Sequence, residues 1–305
     1  MAETLLAPPL AAARSLPSPA SVAPPRAATP ARRRRRLPRA TVVLPLLLLS
    51  FALGCALVPG VIASQSPTAM LSDAVLQRPG TEHLFGTDQF GRDMFALVVH
   101  GARQSLQIAL MSTLFGVSAG AVLGVIAGYF GGWIDALLMR LADVWFALPE
   151  VLMAIAIATA LGPGVGNIIL AISVAKIPRC ARVLRGQALG VRHQAFVEAA
   201  RVSGASRWAI LRGHVLPHCA APILVLATLG LGSSILAAAS LSFLGLGVND
   251  EIPDWGYLLT QGRAYLTTAW WTVVFPGLAI TTLVISVNLL GDALRRRLDP
   301  RQGPR

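Results

Sequence analysis

The chain has 305 residues, of which 54% are hydrophobic and 13% are charged, and its formal net charge is +12. Soluble globular domains contain about 25% charged residues, so this composition excludes an ordinary soluble domain and indicates lipid as the main solvent. The positive charge does not indicate a nucleic-acid-binding protein. The arginines cluster at the ends of apolar stretches, where the cytoplasmic loops of membrane proteins carry them.

The chain begins with a basic segment that leads into an apolar stretch. Residues 1–40 are rich in Pro, Ala and Arg and lack apolar periodicity, which predicts a disordered basic cytoplasmic tail. Residues 41–63 are long and apolar enough for a first transmembrane helix, and their length favours a retained anchor over a cleaved signal peptide. Residues 64–100 are polar and mixed, and we expect an extracytoplasmic loop there.

Five more apolar stretches predict five further transmembrane helices, because about 20 apolar residues span a bilayer. These stretches cover residues 105–130, 144–161, 167–183, 222–248 and 270–290. The segment 176–212 holds eight cationic residues and one acid, whereas the loop before the last stretch holds three acids and Arg263. Positive charge marks cytoplasmic loops, so we predict an all-α integral membrane fold with six transmembrane helices and both termini in the cytoplasm.

Several ionisable residues lie within or beside these stretches. They are Asp135, Arg140, Asp143, Glu150, Lys176 and Arg179. Intramembrane charge is commonly functional. All six, however, are predicted near the cytoplasmic ends of helices, where such side chains reach water or pair with each other. We therefore interpret them as structural, with the first three on an interfacial helix that leads into the third span.

The second predicted span carries a glycine at every fourth position. Gly116, Gly120, Gly124 and Gly128 lie on one helix face, where the missing side chains allow another backbone to approach closely. This pattern is equally typical of helix packing within one subunit and of an interface between subunits.

The segment between the fourth and fifth predicted spans has structure of its own. Residues 194–202 predict a helix, and Gly204 is suited to the positive φ at which helices commonly end. Ser206 can cap a second short helix, which Pro217 is expected to end. Two short helices joined at a glycine turn predict a rigid cytoplasmic knob. The alternative is an amphipathic hairpin lying on the membrane surface.

The same segment contains Glu198-Ala199-Ala200, then Gly204, then His214-Val215-Leu216-Pro217, with three and nine residues between the groups. This spacing resembles the EAA loop of bacterial ABC importer permeases. The resemblance implies a coupling loop at 186–217 in which Glu198, Ala199 and Gly204 face an ATPase subunit and Leu216-Pro217 leads into the next span. It also implies the type I ABC importer permease fold, with a permease domain at 101–292 and a cytoplasmic tail at 293–305.

Four other parts of the chain carry a narrower resemblance: His83–Asp88 with Gly91–Asp93, Gly101–Leu106, Leu241–Gly247, and Asn288–Asp292 with Leu298–Arg301. They resemble one branch of that family, the C-type permeases for dipeptides, oligopeptides and nickel. The branch implies a di- or oligopeptide cargo, with nickel or another small solute as the alternative. The residues that bind the cargo are not predicted.

The resemblance implies a complex. Its expected members are a homologous second permease, two cytoplasmic ATPase subunits and an extracytoplasmic solute-binding protein, in the bacterial inner membrane. ATP is then hydrolysed by the partners, because the only lysine, Lys176, is not part of a P-loop sequence. We predict no catalytic site, no bound cofactor and no metal site, although His214, His218 and Cys219 are close in sequence.

Two other classes of membrane protein fit the sequence less well. An ion-coupled secondary transporter predicts inverted repeats and charged residues at the membrane midplane, and neither is evident. A membrane-embedded enzyme requires a cluster of catalytic polar residues within the spans, which the sequence does not display.

Overall fold

The computed structural model describes residues 40–247 and 251–298, and its regular elements there are helical. The helices, in chain order, are α1 Ala40–Leu57, α2 Pro59–Ile62, α3 Met94–Phe130, α4 Gly132–Phe146, α5 Glu150–Leu161, α6 Val165–Arg192, α7 Ala195–Val202, α8 Arg207–Ile210, α9 Leu216–Leu241, α10 Trp255–Gly262 and α11 Trp271–Leu298. Predictions for residues 1–39, Asp250 and residues 299–305 lie outside the described residues.

Three helices of the described residues are long and apolar enough to cross a membrane: α3, the continuous helix Arg207–Leu246 that includes α9, and α11. Helices α4 and α5 meet at 86° and make a fourth span if the bent pair crosses as one unit. Helix α1 is shorter, and α6 carries several cations. An all-α membrane fold is therefore confirmed, while six spans and cytoplasmic termini remain predictions.

Helix α3 begins at Met94, earlier in the chain than the hydropathy pattern predicts. The loop predicted for 64–100 ends at Asp93, whose carboxylate accepts a hydrogen bond from Ala96 N at 2.8 Å and so caps the helix. The apolar residues that follow at 94–99 are almost all buried against the rest of the chain. The C-terminal boundary also differs, because α11 continues to Leu298 and includes the first residues of the tail expected at 293–305.

The four spaced glycines of α3 face α6 of the same chain. A Cβ added at Gly116 would lie 2.9 Å from Ser173 O, and one at Gly124 would lie 2.2 Å from Ala181 O. Gly120 and Gly128 are equally close to α6. The glycines therefore allow two backbones to pack within this chain, which is the intrasubunit alternative of the two considered.

Acid–arginine pairs join α4 and α5 to α6. Asp135 bonds the guanidinium of Arg185, Arg182 donates to Asp143 at 2.6 Å, and Arg179 lies 3.9 Å from Glu150. The arginines are spaced three residues apart, so they lie along one side of α6. Of the six ionisable residues noted in the sequence, all except Lys176 lie on α4 or in these ion pairs. Four of them form ion pairs, as expected: Asp135, Asp143, Glu150 and Arg179.

Residues 71–93 and 251–271, here called the cap region, surround the start of α3. Asp88 and Arg92 form a buried ion pair of 2.7 Å, and His83 Nδ1 lies 2.9 Å from Asp93 Oδ2. Trp271 Nε1 donates to Thr87 O at 2.9 Å. Three of the segments that resemble the peptide-permease branch, 83–93, 101–106 and 241–247, contact one another or residues 251–271 here.

Candidate functional site

The loop between α6 and α9 folds as two short helices joined at a glycine. Helix α7 ends at Val202, and Gly204 has the positive φ of +82° expected at such an ending. Ser206 Oγ accepts from Ala209 N at 3.2 Å and caps α8 as predicted. Local chemistry, namely a glycine that allows a left-handed backbone and a serine that caps, therefore determines this turn.

Helix α7 is anchored to both neighbouring long helices. Val197 is fully buried in an apolar cluster that includes Leu184 of α6 and Val215 next to α9. The ring of Phe196 stacks on His218 with centroids 4.7 Å apart and lies 6.1 Å from the ring of His214. Packed side chains therefore hold α7 against α6 and α9.

The opposite side of this structure is open. Residues 201–209 are exposed without interruption, and Glu198 and Ala199 extend the same surface, while Ala200 is half-buried. Val202 is 88% exposed, although it is apolar. We call residues 194–210 the knob, and residues 198–209 its open face.

Trp208 is largely exposed and makes an edge contact with Phe130, whereas Leu211 is buried. One local prediction for the knob was wrong. Pro217 does not end a helix. It lies in the first turn of α9, and a π-helical turn over Leu211–Val215 joins α8 to α9. This wider turn accommodates a residue that lacks an N–H, so the chain continues as one helix.

The remaining predicted coupling residues lie at the base of the knob. His214 is half-buried and its Nδ1 has no hydrogen-bond partner, whereas Leu216 is exposed. His218 Nδ1 lies 2.6 Å from His214 O. These two imidazoles therefore contribute to packing around Phe196. Their role in coupling stays a prediction.

A second polar site lies inside the helical bundle and was missed by sequence reasoning. Lys176, expected at a cytoplasmic end, is instead 3% exposed on α6. Its Nζ donates to Gly230 O at 2.8 Å, Ser233 Oγ at 2.9 Å and Ser234 Oγ at 2.6 Å. The reason for the error is that α6 extends to Arg192, so that its C-terminal end lies well beyond the apolar stretch.

This polar site connects three helices. Ser234 of α9 lies 2.8 Å from Thr113 Oγ1 of α3, and Ser173 of α6 donates to Ser112 O at 3.2 Å. The signal that could have revealed the site was the only lysine of the chain, standing in an otherwise apolar and small-residue stretch.

Comparison with known families assigns this architecture. The family described as the binding-protein-dependent transport system inner membrane component matches residues 120–303, which include the knob, Lys176 and α9. The chain belongs to this family.

Two members of the family are similar to this chain over most of its length. The chain is 45% identical over 226 residues to the dipeptide transport system permease protein DppC of Alkalihalophilus pseudofirmus, covering 74% of each chain. It is 40% identical over 262 residues to the di/tripeptide transport system permease protein DppC of Pseudomonas aeruginosa, covering 84% of this chain and 86% of the relative.

A solved structure shows the fold. The chain resembles a subunit of the inward-facing MetNI methionine ABC transporter with a TM-score of 0.56 and 19% identity, over 68% of this chain and 98% of that subunit. The transport component therefore has the fold of a type I ABC importer permease, as expected from its sequence.

Proposed function

We propose that this chain is a transmembrane permease subunit of an ATP-driven importer that moves di- or oligopeptides across the bacterial cytoplasmic membrane. The observation that carries the proposal is the knob, whose predicted ATPase-facing residues Glu198, Ala199 and Gly204 lie on an open face of a rigidly anchored helix pair. The peptide cargo is inferred from relatives that are 40–45% identical and are named as dipeptide or di/tripeptide transport permeases.

The proposed complex contains this chain, a homologous second permease, two ATPase subunits and a solute-binding protein. ATP is bound and hydrolysed by the ATPase subunits. Their closure moves the open face of the knob, and the contacts of Val197 and Phe196 pass this displacement to α6 and α9. Hydrolysis is thus coupled to an exchange between inward-open and outward-open states.

The proposed topology has six spans and cytoplasmic termini, with the knob inside. It is tested by single cysteines at two exposed sites, Val202→Cys in the knob and Leu84→Cys in the cap region. The native cysteines 55, 180 and 219 are buried. An impermeant maleimide added outside intact cells is expected to label position 84 alone, and position 202 only after lysis. The opposite pattern contradicts the topology.

Reconstitution tests the activity. The purified five-component complex in proteoliposomes is expected to accumulate a labelled dipeptide only with ATP and the binding protein present. Uptake that continues without ATP, or that follows an imposed ion gradient, contradicts the importer and favours a secondary transporter. ATP-dependent uptake of nickel without uptake of peptide retains the importer and assigns the alternative cargo.

A further inference from the structure

The strongest unexplained feature is the position of Lys176 within its helix. It stands eleven residues after the start of α6 at Val165, which corresponds to about 17 Å along the axis. The hydrocarbon core of a bilayer is about 30 Å thick. Its neighbour Thr113 is equally central in α3, which runs from Met94 to Phe130. The ammonium group therefore lies near the middle of the membrane-spanning bundle.

The charge of Lys176 is bonded but not neutralised. The three acceptors of Nζ are a carbonyl and two hydroxyls, which use all three donors of the ammonium without supplying a negative charge. Among residues 40–247 and 251–298, no carboxylate forms an ion pair with it. Burying an unpaired charge is expensive, so a purely structural role would be met more cheaply by a neutral residue.

One of the three acceptors opens to the outside of the chain. Ser233 is exposed on α9, and its hydroxyl donates to Gly230 O at 3.0 Å while accepting from Lys176. Gly230 O keeps its bond from Lys176 if this hydroxyl turns away. Ser233 can therefore donate to an oxygen approaching from the open side, with the ammonium directly behind it.

The open side of Ser233 is better suited to water than to lipid. Charged groups at membrane depth face a bundle interior or a water-filled cavity, because hydrocarbon does not screen them. Only 22% of the most apolar stretch of the Arg207–Leu246 helix is buried within this chain, the smallest share among the three long apolar helices. Ser240, two helical turns further, is exposed on the same face. This face fits the wall of a transport path.

We propose that Lys176, acting through Ser233, makes this face of α9 a binding point for an anionic group of the cargo, namely a carboxylate such as the C-terminus of a peptide. The inference rests on the proposed function and adds a specificity determinant within the membrane. Lys176 acts as a fixed positive charge behind the contact, and Ser233 supplies the hydrogen bond. The same charge disfavours passage of a divalent cation such as nickel.

The test compares two nearly isosteric substitutions at Ser233. Ser233→Asp places a carboxylate beside Nζ and neutralises the charge, whereas Ser233→Asn adds a similar volume without charge. Uptake of a dipeptide and of its C-terminal amide is measured in the reconstituted complex. The binding protein is the same throughout, so a changed ratio of the two rates reports the permease. We expect Ser233→Asp to lower the carboxylate preference about tenfold, or about 1.4 kcal/mol, and Ser233→Asn to retain it.

Ser240→Asp controls for a negative charge placed elsewhere on the same face, and it is expected to keep most of the preference. Equal effects of Ser233→Asp and Ser240→Asp, or of Ser233→Asp and Ser233→Asn, overturn the proposal. Lys176→Met removes the charge itself. It is expected to lose the carboxylate preference while still copurifying with the ATPase subunits. If Lys176→Met and Ser233→Asp both fail to assemble, Lys176 is structural and the proposal is wrong. Absence of ATP-dependent uptake in the unsubstituted complex refutes the proposed function instead.

Discussion

The cap region and the knob are both built from loops and short helices, but they differ in how their charged side chains are placed. In the cap region, Asp88 and Arg92 are buried together, and His83 lies against Asp93. In the knob, Arg201 and Arg207 are exposed, and no ion pair involves either of them among the described residues.

This difference indicates what each region requires. Buried polar groups that are bonded to one another close a structure, since leaving either partner alone costs far more than the pair contributes. The buried charged groups of the cap region are therefore satisfied within this chain. The knob instead exposes apolar Val202 beside several cations, on a helix pair that buried Val197 and Ile210 anchor from the other side. A rigid surface with unsatisfied apolar and charged groups is typical of one that a partner covers.

The largest effect is expected from breaking the buried pair. Arg92→Met removes the partner of Asp88 and the bond of 3.1 Å to Gln261, leaving a buried carboxylate. We expect a loss of about 3–5 kcal/mol in the free energy of unfolding. The matched variant Arg207→Met in the knob should change it by less than about 0.5 kcal/mol. Denaturant unfolding of the purified protein in detergent measures both. Equal losses would contradict the contrast between the regions.

The next effect compares two glycines with similar backbones and different surroundings. Gly91 and Gly204 have φ of +72° and +82°, but a Cβ at Gly91 would lie 2.0 Å from Leu71 O, while one at Gly204 meets nothing within 4 Å. Alanine in the left-handed region costs about 1–2 kcal/mol at either site. At Gly91 the collision adds about 1–3 kcal/mol. The same unfolding measurement should therefore show Gly91→Ala as clearly the more destabilised variant, and a reversed order would refute this account.

The knob was predictable because its determinants are local. Gly204 and Ser206 specify a turn through their own backbone preference and capping chemistry, which no distant residue alters. The spaced glycines of α3 were equally predictable as a packing face, but only the fold identifies α6 as the neighbour.

What the sequence did not predict depends on contacts between distant residues. The bend of 86° between α4 and α5 and the start of α3 at Met94 are set by packing and by a cap, so hydropathy alone misses them. Hydropathy shows where an apolar stretch ends, and the sequence therefore placed Lys176 near the end of its helix. Helix α6 instead continues for several charged turns beyond that point, to Arg192. The acceptors of Lys176 lie on α9, more than fifty residues away in the chain.

A third prediction separates the conformation of Gly204 from the surface that it leaves open. Asn adopts the left-handed region more readily than Ala, so Gly204→Asn adds bulk to the open face of the knob with less backbone strain. Its loss of unfolding free energy should be about 1 kcal/mol or less. We nevertheless expect it to impair copurification of the ATPase subunits and peptide uptake more than Gly204→Ala does. If Gly204→Ala impairs both copurification and uptake more than Gly204→Asn does, the glycine matters for its backbone conformation. The docking surface is then not at this position.

The smallest effect concerns a carboxylate of the cap region that forms no ion pair within residues 40–247 and 251–298. Asp254 caps α10 by accepting from Gly256 N at 2.7 Å, and Ser242 Oγ donates to it at 3.0 Å. Burial raises the pKa of Asp254 above its ordinary value of 3.8, and its hydrogen bonds oppose this only in part. The native state therefore holds this proton more tightly than the unfolded chain does. Its contribution is fully present below pH 3.8 and is lost as the pH rises through the raised pKa.

Asp254→Asn keeps an oxygen that caps α10 but removes this proton equilibrium. We expect the free energy of unfolding at neutral pH to change by less than about 1 kcal/mol. Its decline with pH, from 3.8 up to the raised pKa, should become shallower than in the unsubstituted protein. Unfolding curves recorded across this pH range compare the variant with the unsubstituted protein. An unaltered slope in Asp254→Asn would mean that Asp254 is ionised in the native state at the same pH as in the unfolded chain, and that the hydrogen bonds of the cap fully offset its burial.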